Sequence, residues 1–130
     1  MKRVAQIFAI VWAAPASALG LAVAAAALAT GGKVRRVGRV LEIYGGAARW
    51  LLERMPAEPF AMTLGHTVLG RSSAALDLSR DHERVHVRQY ERWGPFFIPA
   101  YLLSSLWLWL RGRDAYRHNP FEIEAYREAP

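Results

Sequence analysis

Two histidines and a glutamate within five residues are the part of this sequence best suited to chemistry. His82, Glu83 and His86 form the pattern H-E-x-x-H. Because residues four apart lie on one face of a helix, both imidazoles can bind one metal ion. Glu83 follows the first histidine, where its carboxylate can take a proton from a water on that metal. The spacing predicts a hydrolytic zinc site; the alternative is two ordinary helix histidines flanking a surface glutamate.

The residues around this motif predict the helix that positions it. Residues 77–93 contain neither Gly nor Pro, and the Gly-Pro pair that follows terminates helices. Asp77 or Ser79 is expected to cap the start of the helix. Apolar residues recur with helical spacing alongside the two histidines, which predicts that the imidazoles lie on the buried face. Arg88 and Gln89 are expected to pair with carboxylates or backbone groups on the helix surface.

A catalytic zinc site needs a third protein ligand besides the two histidines. The candidates near the C-terminus are His118, Glu122 and Glu124. An Asn-Pro pair after His118 indicates the start of a helix, on which the two glutamates point to different sides. We expect Glu122 to be the ligand, because it shares a face with Ala125, whose small side chain lets two helices approach closely.

The two segments H-E-R-V-H and F-E-I-E-A-Y together resemble the gluzincin pattern of membrane-bound zinc metallopeptidases. That group includes the heat-shock membrane protease and the CAAX prenyl proteases, and the resemblance covers residues 77–93 and 119–128. It implies a small zincin-like domain that hydrolyses a peptide or a membrane protein. It also implies a Zn²⁺ ion bound by His82, His86 and Glu122, with Glu83 as the general base.

This chain departs from the gluzincin pattern at Tyr126, where the family has an Asp that supports the metal ligands. Losing such support weakens metal affinity or activity about 10–100-fold. The oxyanion formed during hydrolysis needs a donor besides the metal, and the candidates are Tyr116, His118 and Tyr126. The alternative is that the two tyrosines are ordinary aromatic residues at helix ends and that the histidine is an ordinary solvated one. So small a domain is expected to offer little substrate cleft.

Two strands and a short helix are predicted before the motif. Residues 36–44 alternate loosely and precede a Gly-Gly turn, residues 47–55 predict a helix, and residues 60–70 predict a second strand. In many zinc peptidases, an edge strand beside the active-site helix pairs with the extended substrate. His66 lies on the second predicted strand, and a structural role is favoured over metal binding.

An uncharged apolar run from Val4 to Thr30 predicts a membrane helix, since about 20 such residues cross a bilayer. A cleaved signal peptide is the alternative, because Lys2 and Arg3 precede the run. The positive charge that follows favours a domain on the cytoplasmic side. We therefore divide the chain into an anchor, residues 1–32, and a zincin-like domain of α+β class, residues 33–130.

Residues 96–110 form a second apolar block that as a helix would span about 22 Å, short of the roughly 30 Å hydrocarbon core. Trp107 and Trp109 suit the headgroup region. A helix in the membrane interface or packed against the anchor is expected, and a buried core helix is the alternative.

The net charge of +6 is confined to the first part of the chain. Residues 1–76 hold nine Lys or Arg and three Glu, whereas residues 77–130 hold eight of each sign. This surplus suits anionic membrane lipids, and the basic residues lack the interleaved aromatics that nucleic-acid binding would require. The absence of cysteine excludes disulfides and thiolate metal sites. The competing functions are a non-catalytic membrane protein with a structural metal site and a basic membrane-surface adaptor.

Overall fold

The computed structural model describes residues 2–55 and 59–129 of the chain. These residues form a mixed sheet and five α-helices, which confirms the predicted α+β class. The strands are β1 (Lys33–Val37), β2 (Val40–Tyr44), β3 (Ala61–Leu64) and β4 (Thr67–Gly70). The helices are α1 (Lys2–Ala29), α2 (Gly46–Arg54), α3 (Ser73–Trp93), α4 (Phe97–Leu110) and α5 (Pro120–Glu128).

The four strands lie in the order β1-β2-β4-β3. β1 pairs with β2 and β3 pairs with β4, both antiparallel, and the parallel pairing of β2 with β4 joins the two hairpins. Helix α2 makes the crossover that this parallel pairing requires. β3 is therefore an edge strand, and it packs beside α3.

Each of the two segments predicted as a single strand is in fact a hairpin. Residues 33–44 turn at Gly38, which has φ +62°, and residues 61–70 turn at Gly65, which has φ +63°. Only glycine adopts this left-handed backbone without strain, so these two residues decide where the chain reverses. The sequence interpretation missed the turns because neither glycine stands in a cluster of turn residues.

The sheet lies between two layers of helices. Leu41, Ile43 and Leu69 alternate along their strands toward α1 and α2, and with Leu52 they form the larger core cluster. Val40, Val68 and the α3 residues Leu76 and Val87 form a second cluster on the opposite face. This alternation with period two is what places α3, and the motif on it, against the sheet.

Helix α1 packs along the domain through a stripe of small residues. Its buried positions recur every three or four residues: Ala13, Ala16, Gly20, Ala24 and Ala27. Gly20 passes so close to Thr67 that a Cβ on the glycine would overlap that side chain. The rest of α1 exposes large apolar side chains such as Phe8 and Leu19.

Two helical stretches are long and apolar enough to cross a membrane: Lys2–Ala29 and Ser73–Leu110, the latter comprising α3, a 3-10 turn at Gly94–Phe96 and α4. By length and composition, either stretch could associate with a membrane. Within α4 only Phe97 is buried, so the alternative of a buried core helix is wrong.

The motif helix begins four residues earlier than expected. Ser72 caps it by accepting a hydrogen bond from the backbone N–H of Ala75, so the predicted caps Asp77 and Ser79 are wrong. Asp77 lies inside the helix and pairs with Arg35 and Arg80. The predicted end before Gly94 is confirmed, as is the start of α5 after Asn119, which caps it.

Candidate metal centre

The structure brings together the three side chains that the sequence selected as ligands. His82 and His86 each place Nε2 3.1 Å from the Oε1 atom of Glu122. One nitrogen or oxygen from each of the three residues lies within 4.8 Å of the other two. All three are largely shielded from solvent, with Glu122 only 4% exposed. The cluster could hold a metal ion.

The packing of α5 on α3 produces this convergence. One helical turn separates the two histidines on α3, and Glu122 lies in the first turn of α5. Ala125, one turn further on, is fully buried, as expected of a small residue where two helices approach closely. The amide of Asn119 also donates to the Tyr101 carbonyl and the Ser105 hydroxyl, which fixes the start of α5 against α4.

Gln89 determines which nitrogen of His86 faces the cluster. Its amide N–H groups donate to the Phe121 carbonyl and to Glu124, so its oxygen remains as the acceptor. That oxygen lies 2.7 Å from His86 Nδ1, which must therefore carry a hydrogen. In the neutral ring, Nε2 then presents a lone pair to the site, as metal binding requires. Gln89 pairs with a carboxylate and a backbone carbonyl as expected, but it is fully buried rather than on the helix surface.

His82 lacks a corresponding partner. Its Nδ1 atom is buried and makes no hydrogen bond among the described residues. The ring of Tyr126 lies against it, with centroids 4.4 Å apart. Tyr126 stands at the position where the gluzincin pattern has an acidic residue. The departure from the gluzincin pattern at Tyr126 thus lies next to the candidate ligand His82, whose Nδ1 atom has no hydrogen-bond partner among the described residues.

Glu122 is held in place from its other side. Tyr101 of α4 donates a hydrogen bond of 2.6 Å to Oε2, leaving Oε1 to face the two imidazoles. Burial raises the pKa of this carboxyl, but its hydrogen bonds with His82 and His86 outweigh that effect and hold the pKa at about 2. The carboxylate is therefore ionised at neutral pH.

Glu83 is buried beside the ligands, which makes the alternative of a surface glutamate wrong. It is 6% exposed, and its Oε2 lies 3.9 Å from His82 Nε2. Thr63 of β3 donates a 3.0 Å hydrogen bond to Oε1. Burial raises the pKa of Glu83 above its ordinary value, against the opposing charges of the two histidines. Two neighbouring carboxyls thus have pKa values displaced in opposite directions, as in acid–base sites.

The chemistry of the donor set fits a divalent metal. His86 Nε2 and Glu122 Oε1 face one another at 3.1 Å, so a proton or a metal ion must lie between them. Burial lowers the pKa of His86, but the nearby carboxyls Glu122 and Glu83 outweigh that effect and raise it, so a positive charge at this place is favoured. Two imidazoles with one carboxylate form a known catalytic zinc ligand set. The site thus accommodates such an ion in both charge and ligand type.

The three candidate oxyanion donors differ in position. Tyr116 lines the cavity next to the cluster, and its hydroxyl lies 3.0 Å from that of Tyr126. The Tyr126 ring contacts His82, so both tyrosines lie near the ligands. His118 is exposed and makes no described side-chain contact with the cluster.

The remaining candidates lie outside the cluster. Glu124 points away from it, as expected, and binds Gln89 and Arg92. His66 contacts Glu91 through a 2.8 Å bond rather than the ligands. Arg88 pairs with the carboxylate of Glu128 on the helix surface, as expected.

A cavity of about 730 Å³ opens beside the cluster, so the expectation of little substrate cleft was wrong. Glu83, His86 and Glu122 line one part of it, and edge strand β3 lines another. Most of its wall is apolar, and α4 contributes six of the lining residues, including Ile98, Leu102 and Trp109. Sequence reasoning missed this wall because the contacts of α4 depend on the bend at Gly94.

Three supporting residues were missed or misplaced by sequence reasoning. Gln89 stands three residues after His86, a spacing that places it on the same helix face and could have identified it. Thr63 and Tyr101 come from distant segments, and no local pattern points to either. Comparison of this chain with protein-family models, curated proteins and solved structures finds no match in any of the three.

Proposed function

We propose that this protein is a membrane-associated, zinc-dependent hydrolase of peptide bonds, with a zincin-like domain. The observation that carries the proposal is the convergence of His82, His86 and Glu122 with the buried carboxylate of Glu83 beside them. A metal site that only joins two helices needs no buried base next to its ligands. Glu83 is therefore the feature that favours catalysis over a structural role.

In this proposal the two histidines and Glu122 hold the metal, which when bound lowers the pKa of a water and polarises the scissile carbonyl. Glu83 accepts the proton of the attacking water and passes it to the leaving amine. Thr63 keeps the carboxylate oriented, and the raised pKa of Glu83 brings it closer to the range in which a base also acts as an acid. Tyr116 is the stronger oxyanion candidate, since its side chain lines the cavity.

The substrate would lie in the cavity between β3 and α4. An edge strand beside the catalytic helix can pair with an extended peptide backbone. The apolar lining favours a peptide segment with large hydrophobic side chains. The exposed apolar faces of α1 and α4 would keep the protein at a membrane, where membrane proteins supply such segments.

The decisive experiment compares Glu83→Gln with Asp81→Asn, an exposed acidic neighbour on the same helix. Zinc content of the purified proteins and cleavage of a quenched-fluorescent library of hydrophobic peptides are both measured. We expect Glu83→Gln to retain the metal and to lose about 10²–10⁴-fold in rate, as removal of a general base does. Asp81→Asn should match the wild type.

Equal cleavage by the wild type and Glu83→Gln would show that Glu83 is not the base and would end the enzymatic proposal. Zinc retained without cleavage by the wild type would point instead to a structural metal site joining α3 and α5.

A further inference from the structure

A second cavity lies against α1 and shares no lining residue with the cavity beside the metal centre. It has a volume of about 580 Å³ and runs between α1 and the hairpin of β1 and β2. One row of α1 side chains, from Ile10 through Ala14 and Ala18 to Leu21, forms one wall, and Val40 and Leu41 contribute to the other. This elongated apolar groove is continuous with the exposed apolar surface of α1.

Two arginines, Arg36 and Arg39, line this mostly apolar groove. Its other polar lining residues are His66 and the uncharged Ser17 and Thr67. Both arginines are exposed, and neither has a carboxylate partner within residues 2–55 and 59–129. Arg36 makes a backbone contact with Gly38, and its other N–H groups remain free to bind a ligand. Two unpaired guanidinium groups beside an apolar channel are complementary to a molecule with an anionic head and a hydrocarbon chain.

The hairpin places these arginines beside the middle of α1. The groove residues Ile10 and Leu21 both lie well inside Lys2–Ala29. If α1 crossed a bilayer with the hairpin packed on it, both arginines would lie near the hydrocarbon centre, where charged side chains are strongly unfavourable. If α1 lies along the membrane surface, the same arginines lie at headgroup level and the apolar side chains enter the acyl region.

We propose that this groove binds one anionic phospholipid, with its phosphate on Arg36 and Arg39 and an acyl chain along α1. Helix α1 then lies in the membrane interface rather than across the bilayer. The surplus of basic residues in the first part of the chain adds a general attraction to anionic lipid, but the groove makes the contact specific.

Vesicle binding tests the lipid site. The double variant Arg36→Gln/Arg39→Gln is compared with Lys33→Gln/Arg54→Gln, which removes two basic residues from the same half of the chain outside the groove. Flotation with vesicles of phosphatidylcholine, with and without phosphatidylglycerol, gives the affinities. General attraction to anionic lipid accounts for about fivefold in affinity per basic residue removed. We expect the control to lose no more than this on the anionic vesicles, and the groove variant to lose clearly more.

Filling the groove provides a second test that does not depend on charge. We expect native mass spectrometry to detect one bound phosphatidylglycerol on the wild type. Ala18→Trp should abolish this bound lipid. Equal losses in the two charge variants, or a lipid adduct that survives Ala18→Trp, would overturn the proposal.

The orientation of α1 is tested with single cysteines, since the chain has none. Lys2→Cys and Lys33→Cys flank the helix, and a membrane-impermeant maleimide is applied to sealed right-side-out and inverted vesicles. An interfacial helix places both cysteines on the same side of the membrane. Labelling of the two from opposite sides would show that α1 crosses the bilayer.

Discussion

Two buried glutamates contact α3 in different ways, and the contrast between them separates a carboxylate with permanent counter-ions from one whose partners are histidines. Glu42 of β2 is 1% exposed, and its two oxygens accept hydrogen bonds from Arg80 and Arg35. Glu122 of α5 is 4% exposed, but its Oε1 faces two imidazoles rather than permanent cations. Both carboxylates are ionised, yet only the first is neutralised by groups that always carry charge.

This difference indicates which of the two clusters could bind a metal ion. The arginines around Glu42 complete a closed ion network that needs no further partner. At Glu122 the partners are two imidazoles, whose Nε2 atoms can exchange a proton for a metal ion, and a buried nitrogen of His82 has no partner among the described residues. A buried carboxylate whose partners are histidines rather than arginines is a candidate for binding a cation, because an imidazole that loses its proton becomes a metal ligand.

Removing Glu122 should have the largest effect on metal binding. Glu122→Ala leaves only two protein ligands, and we expect it to lose stoichiometric zinc. Glu128→Ala, on the exposed end of the same helix, is the control and should retain the metal. Elemental analysis of the purified proteins measures both, and equal zinc in the two variants would contradict the assigned ligand set.

Removing Glu42 should affect stability instead of metal content. Glu42→Gln leaves the arginines at this network without their buried counter-ion, and we expect the free energy of unfolding to fall by about 3 kcal/mol. This is the low end of the range for buried pairs, because Arg35 and Arg80 are each 31% exposed and can turn to water. Denaturant unfolding measures the change, and zinc content should stay at the wild-type level.

The pH dependence of stability sharpens this second prediction. Burial raises the pKa of Glu42, but hydrogen bonds from Arg80 and Arg35 outweigh it and lower the pKa below its ordinary 4.5. A depressed pKa gives stability that is complete above the ordinary value and is lost as the pH falls below it. The stability difference between wild type and Glu42→Gln should therefore shrink on acidification below about pH 4.5. A difference that stays constant would refute the ionic explanation.

A smaller effect is expected from Tyr101→Phe, which removes the hydroxyl that holds Oε2 of Glu122. Losing a hydrogen bond to a metal ligand weakens metal affinity about 10–100-fold. Tyr116→Phe is the matched control, since its hydroxyl bonds Tyr126 rather than a ligand. Competition with a chromophoric zinc chelator gives the affinities, and equal values would remove Tyr101 from the site.

The smallest expected effect is a gain in zinc affinity. Tyr126→Asp offers a carboxylate near His82, whose Nδ1 has no partner among the described residues. We expect zinc affinity to rise by up to about tenfold, the lower end of the effect of such support. Tyr126→Asn is the control with similar size and no charge. Weaker binding by Tyr126→Asp in the same competition assay would argue that the tyrosine ring itself supports His82.

Local sequence patterns predicted the candidate metal-binding residues but few of the residues that hold them in place. The motif spacing, the Asn-Pro start of α5 and the small Ala125 were sufficient to select His82, His86 and Glu122, because helix periodicity fixes which side chains share a face. The hairpin turns at Gly38 and Gly65 were missed, since each depends on a backbone conformation that a single glycine signals weakly.

The sequence by itself selected the three candidate ligands, the candidate base and the apolar helices, because these depend on residue type and on spacing along one helix. Only the tertiary structure decided that Thr63 binds Glu83, that Tyr101 holds Glu122 and that Arg36 lies beside the middle of α1. These contacts join segments far apart in the chain. Their partners are chosen by packing against the sheet, which no local pattern encodes.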